Sequence, residues 1–347
     1  MKMFSKKTAL CGVVISGIFA SLLTGCGRQT VTLQKVDTAM GTIVSQTLYV
    51  EGEGKEIPTE ILACIDGLEQ NILSWRLSGT EVYHINENAG NEEGVTVSEE
   101  FQGILEACID VSEASGGAFD ITIGDVIQLW NIDSWAAVED MSGFHIPTES
   151  EIQAALQDTG YEKISVEDGK VVLPEKFRLD MGAVGKGIAL DEIRKLLERK
   201  ENVKGAVISV GGSILTYGSK PDGSAWNVGV VNPLIPSENI GVLKLTGQWC
   251  VSTSGDYERY VEVEGERYHH ILNPDTGKPA DSGVSGITIL TKDGLYSDAL
   301  STACFVLGVQ GGMELAEQFQ AEALFVLENG EIVMSDGMKE IFVSNNK

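Results

Sequence analysis

Basic residues are scarce in this 347-residue chain, and their scarcity limits the partners it can have. Lysine and arginine together number 25, against 51 aspartates and glutamates, which gives a formal net charge of −26 at pH 7. A nucleic-acid-binding protein neutralises phosphates with a basic surface, so the composition argues against a nucleic-acid partner. The same charge disfavours electrostatic adsorption to anionic lipid, so any attachment to a membrane must be hydrophobic or covalent.

Proline is also rare, and the sequence has no closely spaced pair of cysteines. The eight prolines accompany 40 glycines, a balance typical of a chain with many tight turns rather than of a fibrous or disordered one. No C-x-x-C sequence occurs, so a zinc or redox site is not expected. Four cysteines stand singly inside apolar segments, where we expect buried free thiols: Cys64, Cys108, Cys250 and Cys304.

A long apolar run lies at the N-terminus and resembles a bacterial lipoprotein signal. A basic start precedes an apolar segment, residues 9–23, which is too short for a comfortable transmembrane helix, and Leu-Thr-Gly-Cys ends it at Cys26. In such a lipobox the signal peptide is removed before the cysteine, and the thiol is lipidated. We therefore expect residues 1–25 to be a signal peptide, Cys26 to carry lipid, and residues 26–36 to be a linker. The chain would then be tethered at the extracytoplasmic face of the cell membrane.

Strand and helix patterns alternate irregularly along residues 37–340, which we expect to form the folded domain. Hydrophobic residues make up 43% of the chain, enough for a sizeable core. Helical spacing predicts helices over 58–73, 98–115, 148–159, 187–197, 296–306 and 313–319. Alternation predicts strand pairs over 33–50 and 163–173, and further strands over 206–210, 226–231, 241–245, 249–253, 260–263, 267–272, 283–290, 322–327 and 332–334. This order indicates an α+β fold with a largely antiparallel sheet, and not a doubly wound α/β fold.

Residues 179–187 combine a carboxylate, three glycines and a lysine ahead of an amphipathic helix. The spacing of Gly182, Gly185 and Gly187 matches neither the G-x-G-x-x-G fingerprint nor the P-loop, although Lys186 stands where a phosphate-binding lysine could. Such a turn exposes backbone N–H groups and a helix N-terminus, which suit an anion. A glycine-rich start to a tightly packed helix gives the same pattern, so the residues alone leave both interpretations open.

Asp298, Ser301 and Thr302 lie close together on a predicted helix. Asp298 and Thr302 are one turn apart on the same face, and Ser301 flanks them. A carboxylate with hydroxyls, and without histidine or thiolate, describes a hard oxygen site for Mg²⁺. The alternative is a carboxylate favoured by the helix dipole beside a threonine that only packs.

Two of the four histidines, His269 and His270, end a strand just before an Asn-Pro-Asp-Thr-Gly turn. Adjacent strand residues face opposite ways, so at most one of them points into a given site. A neutral imidazole there could act as a base near pH 7, and a surface histidine is the alternative.

Two weaker signals complete the set. The strand ending at residues 209–213 has a small-residue turn, where a ligand could approach the backbone. Trp75 stands in a polar loop, where it could stack on a planar heterocycle.

Taken together and in this order, these segments resemble the ApbE family of bacterial FAD:protein FMN transferases. The matching segments are residues 38–42, 74–86, 117–124, 179–187, 208–213, 252–256, 270–277 and 297–302. The resemblance implies a T-fold-like α+β architecture that binds FAD with Mg²⁺. It further implies that a Ser or Thr hydroxyl of a target protein attacks the pyrophosphate, so that FMN becomes linked through a phosphoester and AMP leaves.

The resemblance also implies roles for individual residues. Asp298 and Thr302 would ligate the metal through their side chains and Ala183 through its carbonyl, with Ser301 as a further ligand. His270 would be the base or positioning group, with Asp298 as the second catalytic residue. FAD would contact Met40, Trp75, Phe119, Asp120, Asp180, Lys186, Gly211 and Ile271.

The chain departs from the family's pattern at two places. Trp75 stands where the family usually has tyrosine or a similar ring, and its spacing to the following glutamate differs by about one residue. Asn273 and Asp275 stand where the family often has aspartate and arginine.

The resemblance also implies acceptor proteins, namely extracytoplasmic subunits of redox pumps or flavin-dependent reductases. Two alternatives stay open. With water as the nucleophile, the same site would be an FAD pyrophosphatase giving FMN and AMP. A non-enzymatic flavin-binding or solute-binding lipoprotein would need none of the catalytic groups.

Overall fold

The computed structural model describes residues 30–138 and 140–345. The predicted signal peptide, Cys26 and the first residues of the predicted linker lie outside these ranges, so they stay predictions.

The strands of the described chain are β1 (Thr30–Ala39), β2 (Thr42–Glu51), β3 (Val95–Thr96), β4 (Ser165–Glu167), β5 (Lys170–Val172), β6 (Val203–Val210), β7 (Ser213–Gly218), β8 (Trp226–Val231), β9 (Asn239–Leu245), β10 (Trp249–Gly255), β11 (Tyr260–Val263), β12 (Glu266–His269), β13 (Leu272–Asn273), β14 (Lys278–Pro279), β15 (Val284–Thr291), β16 (Glu322–Leu327), β17 (Ile332–Met334) and β18 (Phe342–Ser344). Its α-helices are α1 (Ile57–Leu68), α2 (Glu81–Glu87), α3 (Glu99–Ala114), α4 (Gly124–Trp130), α5 (Ile132–Trp135), α6 (Glu149–Leu156), α7 (Gly185–Glu198), α8 (Gly294–Gln318) and α9 (Asp336–Ile341).

The main sheet has the order β1-β2-β6-β7-β10-β15-β16-β17, and every neighbouring pair in it is antiparallel. Side chains alternate between its two faces, as strand geometry requires. On β6, Ala206 and Ile208 join the core beneath the helices, whereas Val207 packs towards the small sheet β18-β9-β8. The predicted α+β fold with a largely antiparallel sheet is confirmed.

The central element of the helical layer is α8, which packs on β10 and β15 and touches both α3 and α7. In length and composition α8 resembles a membrane span, but Ala299, Leu300, Ala303 and Phe305 are buried in the main core. It is therefore a core helix. Its path breaks at Gly308, where φ is 72°, which is why the sequence predicts two helices there.

Two glycines allow α7 and α8 to approach each other at their N-terminal ends. A Cβ on Gly187 would stand 2.1 Å from the Gly294 carbonyl oxygen, and a Cβ on Gly294 would stand 2.2 Å from the Gly187 oxygen. The Asp191 carboxylate of α7 accepts from the backbone N–H groups of Gly294 and Leu295, both at 2.9 Å. This contact places the second turn of α8 against the N-terminus of α7.

A smaller apolar cluster lies beside the main core. It is built by α4, α5 and α6 together with residues of β11 and β13, and its buried members are Ile123, Val126, Trp130, Ile132, Ile152, Val261 and Leu272. The Trp130 indole donates to the Gly277 carbonyl at 2.7 Å, which ties α4 to the turn before β14.

Several predicted element bounds needed correction. The predicted helix 58–73 is α-helical only to Leu68 and continues as a π-helical turn to Leu73. The predicted polar loop after Ser74 contains α2. This helix buries only Val82 and Ile85, and two apolar residues are too few to give a periodic pattern in the sequence. The predicted strand 267–272 is interrupted after His269.

Candidate active site

A cavity of about 270 Å³ opens between the main core and the smaller cluster. Eleven of the residues predicted for the site line it: Met40, Trp75, Phe119, Asp120, Asp180, Ala183, Lys186, His270, Ile271, Asp298 and Thr302. Gly211 and Ser301 are not among the residues that line it. Segments that are far apart in the sequence therefore meet at one place.

Asp298 is a buried carboxylate of the cavity, with only 3% of the residue exposed. Its Oδ2 accepts from the Gly187 N–H at 2.8 Å, and its Oδ1 accepts from the Ser213 hydroxyl at 2.9 Å. Within the described ranges, no lysine or arginine forms an ion pair with it. A buried carboxylate must be compensated, and here neutral donors do so while each oxygen keeps a lone pair free.

The residues at Asp298 fit a magnesium ion. Among the described residues, no group of three or more His, Cys, Asp or Glu side chains could hold a metal. Asp298, Thr302 and Ala183 instead offer one carboxylate, one hydroxyl and a backbone carbonyl along the same cavity. Mg²⁺ takes oxygen ligands, commonly one or two carboxylates, and completes its shell with water and substrate phosphates.

The Ser301 hydroxyl makes hydrogen bonds within the protein, and its predicted role as a further metal ligand stays a prediction. Ser301 is 1% exposed, its Oγ lies 2.7 Å from the Ser254 Oγ, and it donates to the Asp298 carbonyl at 2.8 Å. It therefore joins α8 to β10. Gly211 is likewise placed in the turn after β6, where its N–H donates to the Ile43 carbonyl.

The three glycines of residues 179–187 all have partners for their backbone N–H groups. The Gly182 N–H donates to Asp180 Oδ1, the Gly185 N–H to the Met181 carbonyl, and the Gly187 N–H to Asp298. All three N–H groups are therefore used within the protein. The close packing of the helix start, the alternative that the sequence left open, is the correct interpretation at Gly187.

The Asp180 carboxyl also lines the cavity, near Trp75 and Arg76. Burial raises the pKa of this carboxyl, while hydrogen bonds from the Gly182 N–H and the Trp75 side chain and the nearby Arg76 charge oppose that shift. The Arg76 guanidinium lies 4.2 Å from the centre of the Trp75 ring. Trp75 thus lines the cavity with the Arg76 cation over its ring.

The Asp120 carboxylate stabilises the loop that contains it through hydrogen bonds. Its Oδ1 accepts from the Thr122 N–H and hydroxyl, both at 2.7 Å, and its Oδ2 accepts from the Tyr161 N–H at 3.1 Å. Burial raises the pKa of this carboxyl despite these bonds. The loop in turn sets Phe119, which is 2% exposed, in the cavity wall.

His270 is the histidine that faces the cavity, whereas His269 is buried against Phe305 and its Nε2 donates to the Ala280 carbonyl at 3.0 Å. The prediction that only one of the pair points into the site is confirmed. His270 Nδ1 lies 3.2 Å from the Arg259 carbonyl. A carbonyl only accepts, so Nδ1 carries the proton and Nε2 keeps its lone pair.

Burial and the Arg259 charge lower the pKa of His270 to about 4, so the ring is neutral at pH 7. The turn after it is set by Asn273, whose Oδ1 accepts from the N–H groups of Asp275 and Thr276, and by Gly277 at φ 64°. Asn273 thus has a clear local role where the chain departs from the family's pattern.

Charged residues that the sequence did not single out also line the cavity, notably Glu69, Asp133, Glu258 and Arg259. Burial raises the pKa of the Glu258 carboxyl, and the Lys186 and Arg259 charges oppose that shift. Arg259 Nη1 pairs with Asp133 Oδ1 at 2.9 Å, and this ion pair joins α5 to the start of β11. For Glu258 and Arg259 the sequence signal was their position directly after the matching segment 252–256, and Glu69 and Asp133 had no such signal.

Comparison with known proteins places this geometry in context. The sequence model of the ApbE family matches residues 40–325. The FAD:protein FMN transferase of Klebsiella pneumoniae strain 342 is 32% identical over 304 residues, which cover 85% of this chain and 89% of that protein. The enzyme of the same description from Vibrio cholerae is 27% identical over 332 residues, covering 94% and 95%.

Solved structures agree with the sequence comparison. The ApbE protein of Thermotoga maritima superposes with a TM-score of 0.79 at 32% identity and covers 89% of this chain and 99% of its own. The apo form of the Pseudomonas stutzeri flavinyl transferase ApbE superposes with a TM-score of 0.77 at 27% identity, covering 90% and 97%.

Proposed function

The chain belongs to the ApbE family, and from that membership and its cavity we propose that it is a magnesium-dependent FAD:protein FMN transferase. It transfers FMN from FAD to a Ser or Thr hydroxyl of a target protein, with formation of a phosphoester and release of AMP. One observation carries the proposal. A buried carboxylate without a basic partner, Asp298, shares a single cavity with the neutral imidazole of His270.

The reaction needs positioning and charge neutralisation more than a strong nucleophile. Bound by Asp298, Thr302 and Ala183, Mg²⁺ would supply a positive charge for the phosphate oxygens. Lys186 lines the same cavity and adds a second positive charge. A single cation site with one lysine can thus serve a phosphate substrate in a strongly acidic protein.

His270 Nε2 is the group suited to take the proton of the attacking hydroxyl. The oxygen–phosphorus bond to the acceptor forms as the bond between phosphorus and the bridging pyrophosphate oxygen breaks, and AMP carries that oxygen away. The Arg259 carbonyl holds the Nδ1 proton in place, so Nε2 stays available as the acceptor.

The apolar part of the cavity suits a planar ring system. Its wall includes Phe119, Ile123, Ile127 and Trp130, with Met40 and Trp75 also lining the cavity. An apolar pocket with a few convergent polar groups is the usual form of a site for a small molecule. This supports a flavin as the group bound.

We also propose that the chain works at the extracytoplasmic face of the cell membrane, anchored by lipid on Cys26. Its acceptors would be extracytoplasmic subunits of redox pumps or flavin-dependent reductases. The signal-like N-terminus supports the location, and the family resemblance supports the acceptors.

The test is to incubate the detergent-solubilised full-length chain with FAD, Mg²⁺ and a candidate acceptor domain. We expect a covalent fluorescent FMN adduct on the acceptor and an equal amount of AMP, both lost on addition of EDTA. Free FMN without an adduct would instead establish an FAD pyrophosphatase, and neither product would reject both enzymatic functions.

A further inference from the structure

A row of buried serine hydroxyls lies next to Asp298, contributed by three different elements. Ser213 begins β7, Ser252 belongs to β10 and Ser297 to α8, and each is 0% exposed. None of them lines the cavity. Nothing in the proposed reaction uses them, yet burying three hydroxyls is unfavourable unless each finds a partner.

The hydroxyls form one connected chain that ends on the carboxylate. Ser213 Oγ donates to Asp298 Oδ1 at 2.9 Å, Ser252 Oγ donates to Ser213 Oγ at 3.2 Å, and Ser252 Oγ lies 2.7 Å from Ser297 Oγ. An ionised carboxylate only accepts, so the single Ser213 proton must point at Asp298. The negative charge therefore fixes the direction of the Ser213 hydroxyl, while Ser297 Oγ also donates to the Gly294 carbonyl at 2.7 Å.

Ser213 and Gly187 together fix the carboxylate plane. Gly187 donates to Oδ2 and Ser213 donates to Oδ1, and the two donors lie 111 and 85 residues before Asp298 in the sequence. Both donors are held by regular elements, the first turn of α7 and the first residue of β7. Without the Ser213 hydroxyl, Oδ1 would lose the donor that holds it among the described residues.

We propose that Ser213 is a positioning residue of the magnesium site, which orients and compensates the Asp298 carboxylate, and that Ser252 supports Ser213 in turn. The inference rests on the proposed magnesium site. Residues that hydrogen-bond a metal ligand set its orientation, and their loss typically weakens metal affinity about 10-fold to 100-fold.

The chain offers a matched control on the same strand. Thr216 of β7 is also 0% exposed, but its hydroxyl donates to the Gly247 carbonyl at 3.1 Å and has no contact with Asp298. Replacing it removes a buried hydroxyl from β7 without touching the carboxylate.

The experiment titrates Mn²⁺ into the full-length chain in detergent, without FAD, and follows free Mn²⁺ by electron paramagnetic resonance. We expect wild type to bind and Asp298→Asn to lose binding. Ser213→Ala should raise the Kd about 10-fold to 100-fold, Ser252→Ala should raise it less, and Thr216→Ala should leave it unchanged. Urea unfolding of Ser213→Ala and Thr216→Ala should give similar midpoints.

The outcomes separate the two proposals. An unchanged Kd for Ser213→Ala, or a change equal to that of Thr216→Ala, would overturn the role of Ser213 while leaving the metal site intact. If Ser213→Ala does not fold, an unchanged Kd for Ser252→Ala overturns the hydroxyl chain. Absence of binding to wild type, or undiminished binding to Asp298→Asn, would reject the magnesium site itself and the inference with it.

Discussion

At the scale of single residues, the sequence predicted well those groups whose chemistry is unusual for their surroundings. A carboxylate with hydroxyls on a helix and a histidine pair before a turn both led to cavity residues, Asp298 and His270. Glu258 and Arg259 escaped prediction because charged residues in a loop are usually solvated. Only the fold shows that they line the cavity.

His270 gives the prediction at this scale. Because its pKa is lowered to about 4, the ring is already neutral above pH 5, and protonation would remove its basic lone pair only as the pH falls through about 4. The single-turnover rate of FMN transfer should therefore show no inflection from His270 between pH 5 and 8. His270→Gln should lower that rate by about 10²-fold to 10⁴-fold, the usual contribution of a general base.

The adduct's fluorescence after rapid quenching measures both effects. Mn²⁺ affinity of His270→Gln serves as the control and should equal that of wild type. An inflection near the ordinary histidine pKa, absent in His270→Gln, would show that the ring is not held neutral as the structure indicates.

At the scale of elements, the sequence predicted the long and strongly periodic helices and strands. It did not predict the short elements or the contacts between elements. The helix α3 begins after Ser98, whose hydroxyl accepts from the Phe101 N–H at 3.1 Å, as its sequence suggests. The crossing of α7 and α8 could not be predicted, because a glycine needed for close approach looks in sequence like a glycine needed for a turn. Gly187 and Gly294 are 107 positions apart in the chain, and only the fold brings them together.

Gly187→Ala tests that crossing. The added Cβ would stand 2.1 Å from the Gly294 oxygen, a distance at which the helices must separate. Overpacking of this kind typically costs about 1–3 kcal/mol of unfolding free energy. Separation would also move the N–H that donates to Asp298, so Mn²⁺ affinity should fall as well.

Gly103→Ala is the matched control, since Gly103 lies exposed within α3 with nothing within 4 Å of an added Cβ. It should stabilise the chain by about 0.5–1 kcal/mol, because alanine favours a helix more than glycine does. Urea unfolding measures both variants, and an unfolding free energy of Gly187→Ala at or above that of wild type would contradict the close crossing.

At the scale of the whole molecule, the sequence predicted the fold class and the family but not the cavity's location between two separate apolar clusters. The smaller cluster joins residues from 123 to 272, and pairings of this range leave no local pattern. The proposed attachment of the molecule to a membrane is a further property of the whole chain. The apolar helix α8 is buried in the core, so within the described residues it provides no anchor.

We therefore expect lipid on Cys26 to provide the proposed attachment. In a bacterial host, Cys26→Ser should move the chain from the membrane fraction to the soluble extracytoplasmic fraction, or leave it with an uncleaved signal, and should abolish incorporation of labelled palmitate. Cys64→Ser, which changes a half-buried free thiol of α1, should leave both properties as in wild type.

Two outcomes would contradict lipid attachment at Cys26. Palmitate label on Cys26→Ser protein would show that lipid is attached elsewhere. A cleaved, unlabelled Cys26→Ser chain that stays with the membrane would require a protein surface that binds lipid directly, which a net charge of −26 disfavours on anionic lipid.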